Sequence, residues 1–179
     1  MRKLLNHFDT RVSAGIALWP RMLQTPMILA SFVGLPIITM AIAGLLLIIG
    51  LLSDQPSLST AALVALLVYI FSTLLKLSFQ RPRPVTDYVE QMLIHSYSFP
   101  SGHSVGSTVS YGLVAYIALQ TVAQPTATII AVSLGLLIIA IGLSRIYLGA
   151  HFASDVLGGW LVGVAGLVII IEVIKPLSQ

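Results

Sequence analysis

Two long apolar runs joined by a short polar turn decide the fold of this chain, and residues 126–174 read TATIIAVSLGLLIIAIGLSRIYLGAHFASDVLGGWLVGVAGLVIIIEVI. A helix needs about 20 apolar residues to cross a bilayer, and Thr126–Tyr147 and Phe152–Ile174 each have that length. The pattern predicts two antiparallel membrane-spanning helices. Ionisable groups at a membrane surface are usually functional. Three ionisable residues lie at or beside the turn between the two helices: Arg145, His151 and Asp155.

The composition of the whole chain is that of a polytopic membrane protein. The 179 residues are 57% hydrophobic and only 8% charged, and the mean hydropathy is +0.99. The length predicts one integral-membrane domain over residues 1–179. The chain has no cysteine, which excludes a disulfide framework, a thiolate nucleophile and a thiolate metal site. The net charge of +3 relates to membrane orientation and anionic lipids, not to nucleic acid.

Three more apolar stretches precede the hairpin and predict an all-α transmembrane bundle of five spans. They are Met27–Leu52, Leu58–Leu77 and Ser101–Val122. Pro36 predicts a kink in the first of them, because a proline inside a helix removes a backbone hydrogen bond.

Residues 1–24 differ from these stretches, because apolar side chains recur at helical spacing among charged ones. The pattern predicts an amphipathic helix that lies in the membrane interface, with Trp19 as its anchor. The transmembrane core then covers residues 27–179. A sixth span at the N-terminus is the alternative, although the charges argue against its insertion.

The order of the spans brings three polar clusters to one membrane surface. The second span ends at Lys76, the third begins at Ser101, and the fourth ends at Arg145 beside the start of the fifth. Because successive spans run in opposite directions, these ends lie on the same side. The long connection over residues 80–100 joins two of the clusters, and loops of this length often form lids or binding loops. A solvated connector is the alternative.

The histidine and the aspartate of the last cluster have a spacing that suits nucleophilic catalysis. His151 and Asp155 are four residues apart, which brings two side chains to one face of a helix. The carboxylate can accept the proton of one imidazole nitrogen and leave the other as an oriented nucleophile. A polar pair that only satisfies a helix end is the alternative. The histidines are accompanied by cations, which repel a metal ion, so no metal or other cofactor is predicted.

The other two clusters carry groups that bind anions. Ser101-Gly102-His103 begins a helix, where free amides favour an anion, and a glycine allows close approach of a phosphate. His103 can protonate a leaving oxygen. Arg81 is interpreted as a cation at the membrane surface with no part in the site. The cations predicted to bind phosphoryl oxygens are Lys76, Arg83 and Arg145.

Together, these residues resemble the signature of the type 2 phosphatidic acid phosphatase superfamily. That signature is Lys, six residues and Arg-Pro, then Pro-Ser-Gly-His, then Ser-Arg, five residues, His, three residues and Asp. Every position is matched in order between Lys76 and Asp155. The hydropathy excludes the soluble members of the superfamily, which leaves its membrane lipid phosphate phosphatases as the expected class.

The resemblance implies a role for each residue. His151 would form a phosphohistidine intermediate, Asp155 would orient it, and His103 would protonate the leaving group. The phosphoryl oxygens would be held by Lys76, Arg83, Ser101, Gly102 and Arg145. The implied reaction is metal-independent hydrolysis of a lipid phosphate. A lipid phosphotransferase with the same intermediate, or a non-catalytic scaffold or transporter, is the alternative.

The resemblance leaves the lipid undetermined among phosphatidate, phosphatidylglycerophosphate and a polyprenyl diphosphate. Membrane lipids and this substrate are the expected partners, without nucleic acid or an obligate protein partner.

The expected location is a prokaryotic inner or plasma membrane. Eight of the nine basic residues lie on the face of the site, and Lys175 lies opposite. Without the three presumed phosphate ligands, five basic residues remain on the face of the site and one on the opposite face. Basic residues are enriched on the cytoplasmic side of a membrane, so this bias predicts a cytoplasmic site. Bacterial members of the superfamily, however, often act on the outer face.

Overall fold

Helices form all of the regular structure in the part of the chain that the computed structural model describes, residues 2–92 and 96–175. The predicted all-α bundle is therefore confirmed. In chain order the helices are α1 (Arg2–Ala17), a 3₁₀ turn (Arg21–Leu23), α2 (Gln24–Val33), α3 (Pro36–Leu52), α4 (Pro56–Phe79), α5 (Asp87–Glu90), α6 (Gly102–Thr121), α7 (Thr126–Tyr147) and α8 (Ala153–Ile174).

Among the described residues, α4, α7 and α8 are individually long and apolar enough to cross a membrane. The segment Arg21–Val33, which is the 3₁₀ turn with α2, meets the same standard only together with α3, and this pair is bent by 41°. Pro36 is in the first turn of α3, where its missing N–H needs no partner, so the break falls where the kink is predicted. The first predicted span is thus two helices with a break between them.

The helix α6 occupies the position of the third predicted span but is not one of these apolar helices. Its 20 residues extend about 30 Å, and 12 of them are buried. It packs against α3, α4, α7 and α8, so most of its surface meets protein. Polar side chains are tolerated there because they bond to carbonyls, as Thr108 does to Ser104 at 2.7 Å. The number of five spans stays a prediction.

The bundle is closely packed inside and apolar outside. Glycines allow α8 to approach α6: a Cβ at Gly163 would lie 2.5 Å from Cβ of Thr108, and one at Gly159 would lie 2.7 Å from Cβ of Ser104. Large apolar side chains instead face outwards, and Leu52 is 83% exposed. Apolar surface of this extent is typical of contact with lipid and is unfavourable in water.

The N-terminal helix α1 is not among the membrane-crossing helices of the described chain, and it is docked on the bundle. Ile16 is buried among apolar residues at the end of α7 and the start of α8. The ring of Trp19, the predicted membrane anchor, is half-buried and 6.4 Å from that of Tyr147. Asp9, a charged residue on a surface helix, is only 2% exposed. The helix therefore packs where the predicted polar clusters lie.

Candidate active site

The three polar clusters meet at one end of the bundle, as the order of the spans predicts. Lys76 of α4 donates at 2.5 Å to the carbonyl group immediately before Ser101. Arg83, in the connection after α4, is 3.1 Å from His151. The amide of Ser101 donates to the carbonyl of Asp155 at 3.0 Å. These contacts join the ends of α4 and α6 to the turn between α7 and α8.

His151 and Asp155 face each other, but not from one face of a helix as their spacing predicts. Nδ1 of His151 is 3.5 Å from Oδ2 of Asp155, which is too long for a well-formed hydrogen bond. His151 belongs to the turn before α8, whereas Asp155 is in the first turn of α8, where its Oδ2 accepts from the amide of Phe152 at 3.0 Å. Both side chains are buried. The carboxylate is thus held by a helix-capping contact beside the imidazole.

Arg83 identifies the imidazole nitrogen that carries the lone pair. Its Nη1 is 3.1 Å from Nε2 of His151, and a guanidinium can only donate. Nε2 is therefore the acceptor, and the proton of the neutral ring is on Nδ1, facing Asp155. Burial, and then the charges of three nearby cations, hold the pKa of His151 well below its usual value. The ring is consequently neutral at physiological pH.

The connection after α4 folds over this site. Arg83 is anchored through Ser96, to which its Nε and Nη2 donate at 2.7 and 3.0 Å. Lys76 donates to the carbonyl of Tyr97 at 3.1 Å. Because the same segment supplies one cation and positions another, these contacts favour a binding loop over a solvated connector.

Arg145 and His103 each keep a buried polar atom without a partner among the described residues. Arg145 is 2% exposed, and its Nη1 donates to Ser31 and, at 3.2 Å, to the hydroxyl of Tyr88. Nε of Arg145 and Nε2 of His103 have no hydrogen-bond partner. Buried polar atoms are nearly always bonded, so these two are suited to a ligand with oxygen atoms.

The start of α6 is capped by its own sequence. The hydroxyl of Ser101 accepts from the amide of Ser104 at 3.4 Å. The amides of Gly102 and His103 remain as first-turn donors without an intrahelical acceptor. A Cβ at Gly102 would lie 3.8 Å from the Lys76 side chain, which is ordinary contact. The predicted role of Ser101 in phosphate binding stays a prediction, since its amide and hydroxyl already contribute to the fold.

Arg81 was interpreted as a surface cation, and that interpretation is wrong. Its Nη1 donates to Oδ1 of Asp155 at 2.7 Å, and its Nη2 donates to Oδ2 of Asp9 at 2.6 Å. Its guanidinium also lies 4.4 Å from the ring centre of Phe152. The two carboxylates are 74 and 72 residues away in sequence, so no local pattern could have indicated these contacts.

The charges around the histidine pair sum to +2, because four cations are accompanied by two carboxylates. In residues 2–92 and 96–175, no three His, Asp or Glu side chains are grouped so as to hold a metal ion. A buried positive site of this kind favours an anion. The charged members are Lys76, Arg81, Arg83, Arg145, Asp9 and Asp155.

The fold and the site define a helical integral-membrane protein with a buried, positively charged site around a histidine–aspartate pair. Residues 57–178 match the PAP2 superfamily, and the chain belongs to that superfamily. The matched region contains all three motifs, so the resemblance drawn from them is confirmed.

Individual relatives agree with this assignment. Phosphatidylglycerophosphatase B of Bacillus subtilis (strain 168) is 34% identical over 107 residues, which cover 56% of this chain and 52% of the relative. The chain thus matches about half the length of that protein. Two crystal structures share the fold. One is a transmembrane PAP2-type phosphatidylglycerolphosphate phosphatase from Bacillus subtilis, with a TM-score of 0.78, 23% identity and coverage of 95% of this chain and 86% of the other. The second is LpxE from Aquifex aeolicus, with a TM-score of 0.67, 24% identity and coverage of 91% and 94%.

Proposed function

We propose that this chain is a membrane lipid phosphate phosphatase that transfers the phosphoryl group of its substrate to Nε2 of His151 and then to water. The orientation of His151 carries the proposal. Its ring is neutral, its Nδ1 proton faces Asp155, and its Nε2 lone pair faces Arg83. This is the arrangement of an activated nucleophile. A phosphoryl oxygen that took the Arg83 donor would release the lone pair beside the phosphorus atom.

The reaction would proceed in two displacements at phosphorus. In the first, His103 takes up a proton when the anionic phosphate binds; the Nε2 lone pair of His151 then bonds to phosphorus, the bond to the leaving oxygen breaks, and His103 gives its proton to that oxygen. Asp155 balances the positive charge on the phosphorylated imidazole. In the second, water attacks phosphorus and gives a proton to His103, and the electron pair of the N–P bond returns to Nε2. Phosphoryl transfer depends mainly on positioning and charge, which the nearby cations supply without a metal ion.

The electrostatics of the site support a phosphate ligand. Burial, and then the charge of Arg145, lower the pKa of the Arg83 guanidinium. This is the direction expected for cations that are packed together. A phosphate monoester carries up to two negative charges and would balance the net charge of +2. The unpartnered Nε–H of Arg145 is a suitable donor to one of its oxygens.

A cavity beside Lys76 and Arg83 supports a lipid substrate. Its volume is about 730 Å³, and its lining combines the two cations and Glu90 with apolar residues such as Leu77 and Val85. Leu77 is 56% exposed and Val85 is 93% exposed, so the apolar wall continues onto the outer surface of the bundle. A phosphate could therefore bind the cations while its acyl chains follow the apolar wall. The name of the Bacillus relative makes phosphatidylglycerophosphate the first candidate, with phosphatidate and a polyprenyl diphosphate as the others.

Phosphate release by the purified protein in detergent tests the proposal. We expect release from at least one of the three lipids, an acid-labile phosphoprotein on rapid quenching, and neither result with His151→Gln. Equal turnover by the His151→Gln protein, or no release from any of the lipids, would refute the proposal. Phosphorylation of an added alcohol in place of phosphate release would favour a phosphotransferase.

A further inference from the structure

A buried carboxylate on the N-terminal helix contacts the site from outside the region that matches the superfamily. Asp9 lies on α1, whereas the family match begins at residue 57. Its Oδ1 accepts from the amide of Ser154 at 2.8 Å. Its Oδ2 accepts from the hydroxyl of Ser154 at 2.8 Å and from Arg81 at 2.6 Å. All of its described partners are thus donors at the start of α8 or in the connection after α4.

Arg81 links this carboxylate to the histidine pair. One of its terminal nitrogens bonds Asp9, and the other bonds Oδ1 of Asp155 at 2.7 Å and the hydroxyl of Ser154 at 2.7 Å. Arg81 bonds Oδ1 and the amide of Phe152 bonds Oδ2, and together they fix the Asp155 carboxylate with Oδ2 towards Nδ1 of His151. The guanidinium is therefore divided between two carboxylates.

The division has an electrostatic consequence. A guanidinium can bind one carboxylate through two parallel hydrogen bonds, and Arg81 would neutralise Asp155 if it turned both nitrogens towards it. Asp9 holds one of those nitrogens. The group of one cation and two carboxylates then keeps a net charge of −1 next to the imidazole. This charge would stabilise the phosphorylated His151 ring.

We infer that Asp9 is a positioning residue that, through Arg81, keeps one oxygen and the negative charge of Asp155 directed at His151. The inference rests on the proposed function, in which His151 is the nucleophile. Asp9 would not touch the substrate. Its removal should therefore slow the chemical step and leave substrate binding largely unchanged.

A double-mutant cycle tests the inference. Asp9→Asn keeps the shape of the side chain but loses the charge that holds Arg81. Loss of the outer hydrogen-bond partners of metal-bound histidines costs about 10–100-fold in affinity or activity, and we take the same range for this indirect effect on His151. We expect kcat to fall by about that factor and KM to stay close to that of the wild type. If Asp9 acts through Arg81, then Asp9→Asn should have no further effect on kcat in an Arg81→Gln background. Asp54→Asn is the matched control, because this exposed residue follows α3 at the opposite end of the bundle.

A second measurement is independent of turnover. In histidine-labelled protein, the Nδ1–H resonance of His151, identified by its loss in His151→Gln, reports the approach of the Asp155 carboxylate. It should move upfield and exchange faster with water in Asp9→Asn, but not in Asp54→Asn. An unchanged resonance would overturn the inference even if the wild-type protein released no phosphate. With an active wild type, unchanged kcat in Asp9→Asn, or additive effects with Arg81→Gln, would overturn it and leave the proposed function standing.

Discussion

Replacing Asp155 by asparagine is expected to abolish most turnover while the protein stays folded. The donors around this carboxylate include Arg81 at 2.7 Å and the amide of Phe152 at 3.0 Å, and Nδ1 of His151 faces it at 3.5 Å. Asparagine has only one oxygen, so its NH₂ group must face at least one donor. The substitution therefore removes a hydrogen bond in either orientation of the amide.

The two orientations have different consequences. If the NH₂ group faces Arg81, the protein loses a charge-assisted hydrogen bond, worth about 1.5–3 kcal/mol of stability. If it takes the place of Oδ2, the bond from the amide of Phe152 is lost, and the imidazole must place its proton on Nε2, where it meets the donor of Arg83. The nucleophile is then blocked. The same change in a serine protease triad lowers kcat by about 10⁴-fold through the wrong tautomer, which corresponds to about 5.4 kcal/mol in the barrier.

The assay is phosphate release in detergent, with thermal unfolding of the same samples. We expect the loss in activity, expressed as free energy, to exceed the loss in stability by several kcal/mol. Asp54→Asn removes the same charge from an exposed loop and should leave both quantities unchanged. A folded Asp155→Asn protein with wild-type turnover would show that the carboxylate does not orient the nucleophile.

The remaining predictions concern the acid, the helix packing, the metal and the membrane side. His103→Ala should lower turnover of the lipid substrate by about 10²–10⁴-fold, and turnover of an ester with a good leaving group much less. An equal loss with the two substrates would exclude His103 as the acid. Gly163→Ala places a Cβ 2.5 Å from a threonine of α6 and should destabilise the fold by about 1–3 kcal/mol, whereas Gly135→Ala, which meets nothing within 4 Å, should not. Turnover should survive excess chelator and be inhibited by vanadate, and restoration of lost activity by a divalent ion would indicate a metal site. For the membrane side, one cysteine is placed at position 90 in one variant and at position 178, which lies outside the described residues, in another. If the site is cytoplasmic, an impermeant thiol reagent should label intact cells only through position 178.

The apolar helices could be predicted from the sequence because their boundaries have local causes. The predicted span Thr126–Tyr147 coincides with α7, and the last predicted span differs from α8 by one residue. A run of apolar residues that ends at charged or turn-forming ones marks a helix in lipid without reference to the rest of the fold. The meeting of the three motifs at one end then follows from counting spans.

Features that depend on contacts between distant segments could not be predicted in this way. The polarity of α6 is tolerated because other helices surround it, which only the assembled bundle shows. The bonds of Arg81 join residues more than 70 positions apart. In sequence, Arg81 has the same setting as any basic residue after a membrane span, and Asp9 has that of a polar residue on an amphipathic helix. Their burial decides their roles, and burial is a property of the fold.

The contact between α1 and the site also affects how the excess of basic residues on one membrane side is interpreted. Of the five basic residues counted on the face of the site, Arg81 is held by two carboxylates, and the other four belong to residues 1–24. By themselves, those four predict only the side of the N-terminus. Asp9, in the middle of α1, bonds the first turn of α8 at Ser154, so the N-terminal helix lies at the same end of the bundle as His151. The charge bias therefore applies to the site through this contact, and a label at position 90 reports the side of both.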